Sequence, residues 1–109
     1  GLLFDSLVVR DLRIYAQAHD AAVFHYRDDT GLEVDAVVES MDGSWAAFEI
    51  KLGGRERVDD AARNPLRFRN RIDLSRVGEP RQLGVITATG FAYQRPDGVA
   101  VIPIGVIGP

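Results

Sequence analysis

The chain has 109 residues, enough for one compact domain and too few for two, and its apolar (46%) and charged (27%) residues are in a typical globular balance. It contains no cysteine, which excludes disulfides, cysteine-ligated zinc and thiol catalysis and agrees with a cytoplasmic protein. No apolar run approaches the roughly 20 residues of a membrane span, so we expect no membrane contact. We expect residues 1–109 to form a single domain, cut from a longer protein because the chain begins with Gly1 rather than methionine.

The charge is unevenly distributed along the chain. The net charge of −3 argues against attraction of nucleic acid by the whole surface. Residues 51–81 nevertheless contain nine of the thirteen basic side chains and only five acids. A basic face beside an acidic cluster fits phosphate binding together with metal binding, and two unrelated solvated surfaces fit it equally well.

The first element is a predicted helix over residues 2–18, because Phe4, Val8 and Leu12 recur at the spacing of a buried helical face. Asp5 lies in its first turn. An acidic side chain at that place is stabilised by the helix dipole, so a structural role accounts for Asp5 without any site.

Three strands follow, and short turns between them predict an antiparallel meander. The predicted strands cover residues 22–27, 32–39 and 45–52. Because apolar and polar residues alternate in the second strand, we expect its apolar set to share one face. That set is Leu32, Val34, Ala36 and Val38.

The register of the second and third strands follows from this alternation. Pairing Glu39 with Trp45 leaves a five-residue loop and places Asp35 opposite Glu49. Residues opposed in this way have Cβ atoms roughly 4.5–5.5 Å apart.

Two carboxylates so close together repel. A divalent cation between Asp35 and Glu49 would remove the repulsion, and so would the neighbouring Lys51, which this register places opposite Glu33. The two histidines, His19 and His25, lack the spacing of metal ligands, and we expect both to be structural or surface residues.

The next segment contains a predicted helix over residues 55–64. Pro65 either interrupts this helix or begins a second one that continues to residue 74. Arginines surround the junction at positions 63, 67, 69 and 71. They fit contacts with a phosphate backbone, and they equally fit a solvated helix face that pairs with nearby acids.

The last segment is predicted to contain three strands. Residues 82–88 are apolar on both faces, as in a central strand covered on both sides. Residues 91–95 and 99–106 are predicted as short edge strands joined at Asp97-Gly98, because prolines favour sheet edges. The sequence contains no phosphate-loop glycine pattern. The element order predicts an α/β domain with helices on a mixed sheet.

This order, with Asp35 in the second strand and Glu49-Ile50-Lys51 ending the third, resembles the core of the PD-(D/E)XK nuclease superfamily. The spacing Asp-x(13)-Glu-x-Lys is similar to that of archaeal Holliday-junction resolvases and restriction-type endonucleases. Val34 stands where the superfamily name has proline. The resemblance implies a restriction-endonuclease-like αβββαβ core, with an antiparallel meander in a mixed central sheet and flanking helices.

A closer resemblance is to the C-terminal domain of unknown function that follows the ATPase domain in many prokaryotic AAA-type ATPases. It is carried by the segments GLLFDS, FHYRD, GLEVD and FEIK, which begin at residues 1, 24, 31 and 48. That family usually has glutamate at the position of Asp5. This resemblance implies an ATPase domain of the same parent chain as the partner.

The resemblance to the nucleases also implies roles for individual residues. Asp35 and Glu49, with Asp5 on the first helix, would hold Mg²⁺ or Mn²⁺, and Lys51 would orient the attacking water or stabilise the transition state. The implied contacts to nucleic acid are Arg55, Arg57, Arg63 and Arg67.

Two non-enzymatic hypotheses stand beside the nuclease. The same fold could serve as a docking or regulatory module of the ATPase, with Asp35, Glu49 and Lys51 as a buried ion network, since fold does not determine function. Alternatively, residues 99–107 could pair sheet edges in a homo-oligomer.

Overall fold

The computed structural model describes residues 10, 12–14, 16–51 and 58–107. In the first predicted helix, which we label α1, the described residues 10, 12–14 and 16–18 are helical, in agreement with the second half of the prediction. The other elements are β1 (Ala21–Arg27), β2 (Glu33–Ser40), β3 (Trp45–Lys51), α2 (Val58–Arg71), α3 (Leu74–Val77), β4 (Gln82–Thr87), β5 (Tyr93–Gln94), β6 (Val99–Pro103) and α4 (Ile104–Ile107).

The strands form one six-stranded mixed sheet in the order β1-β2-β3-β4-β6-β5. β1, β2 and β3 pair antiparallel, which confirms the predicted meander. β4 lies parallel between β3 and β6 and is buried from Leu83 to Ile86, which confirms its predicted central position. The prediction of a mixed α/β domain is therefore confirmed.

The final hairpin differs from the prediction. Its turn at Asp97-Gly98 is present, with Gly98 at φ 89°. However, β6 pairs with β4 on one side and β5 on the other, so it is not an edge strand. It ends at Pro103 rather than residue 106, and α4 follows. The buried apolar start of β6 explains its inner place, and pairing of sheet edges through this strand is not available.

β2 contains a bulge that the alternating pattern did not predict. The pairs on either side of it are Phe24 with Val37 and Tyr26 with Val34. Asp35 and Ala36 therefore stand together opposite the single residue His25. Such an extra residue bends its strand and reverses the in-out phase of the side chains beyond it.

The bulge divides the predicted apolar set between the two faces of the sheet. Leu32 and Val34 lie in the core beneath α2, whereas Ala36 packs on the opposite face with Leu12 of α1 and Ile50 of β3. The expectation of one shared face is wrong, because strict alternation assumes one β2 residue for each β1 residue.

Helix α2 covers the first of these faces. Its buried residues are Ala61, Ala62, Pro65 and Phe68. The Phe68 ring meets the rings of Tyr26 and Trp45 edge-on, at centroid distances of 4.6 and 5.6 Å. This packing holds the helix across the meander.

The prediction that Pro65 breaks the helix is wrong, since α2 runs through it from Val58 to Arg71. A proline inside a helix removes one hydrogen bond and costs about 3 kcal/mol. Here the Pro65 ring is buried and extends the apolar stripe between Ala61 and Phe68. Burial against the sheet favours the continuous helix and opposes that cost.

Gly84 of β4 lies directly against the ring of Phe48 on β3, and a substitution there tests this contact. A Cβ atom at Gly84 would lie 2.7 Å from Cδ1 and 2.9 Å from Cε1 of its partner Phe48. We expect Gly84→Ala to lower the free energy of unfolding by about 1–3 kcal/mol in urea titrations, because the ring has to move.

Gly105→Ala is the matched control, because its added Cβ would meet no described atom within 4 Å. We expect its unfolding midpoint to equal or exceed that of the wild type. Equal losses in both variants would contradict the close contact at Phe48.

Candidate functional site

The carboxyl groups of Asp35 and Glu49 meet beside the bulge in β2. The predicted pair Glu39–Trp45 is present, and the ladder continues as far as Ala36–Phe48. Asp35 comes next on β2, and its Oδ2 accepts a hydrogen bond of 2.8 Å from the backbone N–H of Ile50. This hydrogen bond anchors Asp35, at the bulge, to the backbone of the residue that follows Glu49.

The expected pairing of Glu33 with Lys51 is not formed in the described ladder. Glu33 pairs instead with Arg27 of β1, and its Oε1 lies 3.1 Å from Nε2 of His25. Bending of β2 at the bulge accounts for the difference, because a bulged strand leaves the straight path of its partner.

Glu49 is the one charged or polar side chain buried among the described residues, at 3% exposure. Burial raises its pKa to about 9, and so does its hydrogen bond to the carboxylate of Asp35. Asn64 and Lys51 oppose this rise in pKa. At neutral pH and without metal, the Glu49 carboxyl group is therefore protonated, and its O–H donates a hydrogen bond to the carboxylate of Asp35.

Lys51 ends β3, where it is half-buried and pairs with Thr87 of β4. Its charge lowers the pKa of Glu49, so the two side chains interact electrostatically. The structure therefore groups the three predicted catalytic residues, Asp35, Glu49 and Lys51.

Asn64 of α2 also belongs to this group, and the sequence did not point to it. Its Nδ2 donates a 2.6 Å hydrogen bond to Oε2 of Glu49. The only available signal was a polar residue between Ala61 and Phe68 on the face that meets the sheet. Without the tertiary packing, nothing connected it with a residue fifteen positions earlier.

An ion pair between Arg71 and Asp28 helps to hold α2 where Asn64 reaches Glu49. Arg71, at the end of α2, donates to Asp28 Oδ2 at 3.0 Å and to the Thr30 hydroxyl. The hydrogen bond from Thr30 is the largest of the effects that hold the pKa of Asp28 well below its usual range. The β1–β2 turn is thereby tied to the helix.

The other predicted site residues have different positions. Asp5, Arg55 and Arg57 lie outside the described residues. Arg63 is exposed on α2, with Nη2 3.7 Å from Asp60 Oδ1, and Arg67 is exposed one turn beyond Asn64.

The two remaining arginines of α2, Arg69 and Arg71, support the alternative hypothesis of a solvated helix face whose arginines pair with nearby acids. Arg69 binds Glu79 with two nitrogens, one of them at 2.9 Å from Oε2, and Arg71 binds Asp28. Both guanidinium groups are therefore engaged by acids of the protein itself.

A second group of side chains lies around the other residues of the bulge. His25, Glu33 and Asp35 each offer a ligand atom, and these atoms lie within 4.8 Å of one another. His25 is on the surface, as expected. The bulge brings Asp35 opposite it, a neighbour that the spacing of the two histidines did not indicate.

The fold and the site thus define a mixed α/β domain in which a buried carboxyl group, that of Glu49, contacts the half-buried carboxylate of Asp35. The chain belongs to the family described as Domain of unknown function (DUF4143), whose model matches residues 1–107. This confirms the domain of unknown function in the second resemblance. No curated protein and no solved structure matches the chain. None of the helices in the described ranges is long and apolar enough to cross a membrane.

The raised pKa of Glu49 predicts how the stability of the metal-free protein varies with pH. Between about pH 4.5 and 9 the folded state binds the Glu49 proton and the unfolded state releases it, so this group's contribution falls as pH rises. The slope is at most about 1.4 kcal/mol per pH unit, since one proton is involved.

Glu49→Gln keeps both hydrogen bonds without a titrating group. The free energy of unfolding of Glu49→Gln minus that of the wild type should increase from pH 5 to pH 9, because only the wild type loses stability over this range. Urea titrations with a chelator present measure both values. Glu39→Gln, at an exposed position of the same sheet, is the control and should show no such trend. A constant difference for Glu49→Gln would show that Glu49 ionises normally.

Proposed function

We propose that this domain is nuclease-like and cleaves phosphodiester bonds of nucleic acid with a divalent metal ion held by Asp35 and Glu49. The observation that carries the proposal is the contact of these two carboxyl groups beside Lys51, with Glu49 buried. A meander followed by a parallel β4 supports a restriction-endonuclease-like core for the domain.

The donor set fits Mg²⁺ or Mn²⁺, because both are hard cations that prefer carboxylate oxygens. The proton on Glu49 occupies the position that a cation would take, and metal ligands must be deprotonated to bind. Asn64 and the backbone of Ile50 already orient one oxygen of each carboxyl group. Orientation of this kind lowers the cost of closing the metal site.

The metal ion would supply a polarised phosphate and a water of lowered pKa. Lys51 would stabilise the negative charge that develops on the phosphate, because its ammonium group interacts electrostatically with Glu49 of the carboxyl pair. Arg67 and Arg63, on the exposed side of α2 beyond Asn64, would contact the phosphate backbone. Arg55, Arg57 and Asp5 remain predictions from the resemblance.

We place the domain behind an ATPase domain of the same cytoplasmic chain, which the resemblance of the four motif segments supports. The alternative is a docking or regulatory module of that ATPase. One observation favours it: the hydrogen bond between the carboxyl groups of Asp35 and Glu49, together with the raised pKa of Glu49, satisfies the pair without any cation.

A calorimetric Mg²⁺ titration tests the metal site. We expect saturable binding in the wild type, lost in Asp35→Asn and in Glu49→Gln and retained in Glu39→Gln. Binding should release close to one proton per metal at pH 7.5, measured in buffers of different ionisation enthalpy. It should also strengthen up to about tenfold per pH unit below pH 9.

The absence of saturable binding in the wild type would refute this metal site. If Mg²⁺ binds, labelled DNA and RNA of one and two strands should be cleaved. Lys51→Met should lower the cleavage rate by about 10²-fold or more while binding Mg²⁺. Binding without cleavage of any substrate would favour the docking module.

A further inference from the structure

We propose a second metal site, formed by His25, Glu33 and Asp35, that binds a divalent transition-metal ion of the Zn²⁺ type. It goes beyond the proposed cleavage site, and the two sites have only Asp35 in common. The geometry that carries the inference is the convergence of an imidazole nitrogen and two carboxylate oxygens within 4.8 Å.

Two neighbouring strands supply these three groups. His25 stands in the middle of β1, and the bulge places Asp35 opposite it rather than one position away. Glu33 begins β2 and already contacts His25, with Oε1 3.1 Å from Nε2. The contact of His25 with Glu33 leaves out the third group, Asp35, whereas a cation would bind all three.

The surroundings suit a cation with open coordination positions. The side chains of His25 and Glu33 are 46% and 49% exposed, so water can reach the group and complete a coordination shell. Asp35 is held from the other direction by the N–H of Ile50 at 2.8 Å, which fixes its carboxylate. Anchoring of a ligand by a backbone donor is typical of metal sites.

The donor types indicate which ion would bind. One imidazole nitrogen with two carboxylate oxygens suits Zn²⁺ and other first-row transition metals, whereas Mg²⁺ and Ca²⁺ prefer oxygen donors alone. Mg²⁺ therefore reports on the site at Glu49, and Zn²⁺ reports on the site at His25.

Zn²⁺ titration of the Glu49→Gln variant tests this inference apart from the proposed function, because the variant lacks the first site. The sequence contains only two histidines, so imidazole ¹H–¹⁵N spectra give two resolvable sets of signals. One equivalent of Zn²⁺ should shift the ring-nitrogen resonances of His25 and leave those of His19 unchanged.

Glu33→Gln and His25→Gln, each added to Glu49→Gln, should weaken Zn²⁺ binding by about tenfold or more in calorimetry. Glu39→Gln, added in the same way, should leave it unchanged. Unshifted His25 signals at millimolar Zn²⁺, or equal shifts of His25 and His19, would overturn the inference. Failure of the Mg²⁺ titration in the wild type would not affect this result.

Discussion

The bulge at Asp35–Ala36 determines which side chains of β2 enter the core and which reach the site. On one side of it Leu32 and Val34 pack beneath α2, and on the other side Ala36 packs against α1. A strand without the extra residue would keep Leu32, Val34 and Ala36 on one face, whereas the bulge moves Ala36 to the other face and places Val37 in the core with Leu32 and Val34. The apolar layers and the position of Asp35 are therefore set together.

Burial of Glu49 is the second constraint, and it follows from the same arrangement. Placing an ionised carboxylate in the interior costs several kcal/mol unless a charge or hydrogen bonds compensate it. Here the hydrogen bond from Asn64 is insufficient by itself, and the pKa of Glu49 rises to about 9. Without a metal, the pair is therefore stabilised by a proton held between the two carboxyl groups, and the cation that we propose would have to displace that proton.

The parts of the fold that the sequence predicted depend on local patterns. Period-two alternation and turn residues predicted the meander and the Glu39–Trp45 register, and a continuous apolar run predicted the central β4. The bulge was not predictable in this way, because one extra residue leaves the apolar composition of the strand unchanged. The path of α2 through Pro65 was also missed, since burial against the sheet opposes the local preference of proline.

The candidate site shows the same division. Asp35, Glu49 and Lys51 were found because the Glu39–Trp45 register follows from the sequence and because their spacing resembles that of the nucleases, although the ladder itself ends at Ala36–Phe48. Asn64 was not, because its contact with Glu49 depends on how α2 crosses the sheet.

The arginines of α2 show why a charge count does not define a binding surface. Residues 51–81 are rich in bases, yet Arg69 is held by Glu79 of the same segment and Arg71 by Asp28 of the β1–β2 turn. The contacts of Arg71 tie the end of α2 to the β1–β2 turn. Within the described residues, the basic groups nearest in sequence to the site are Lys51 itself and Arg63 and Arg67 beside Asn64. Because affinity for nucleic acid grows with the number of phosphates contacted, the nucleic-acid contact that we propose would cover a short stretch of backbone rather than an extended duplex.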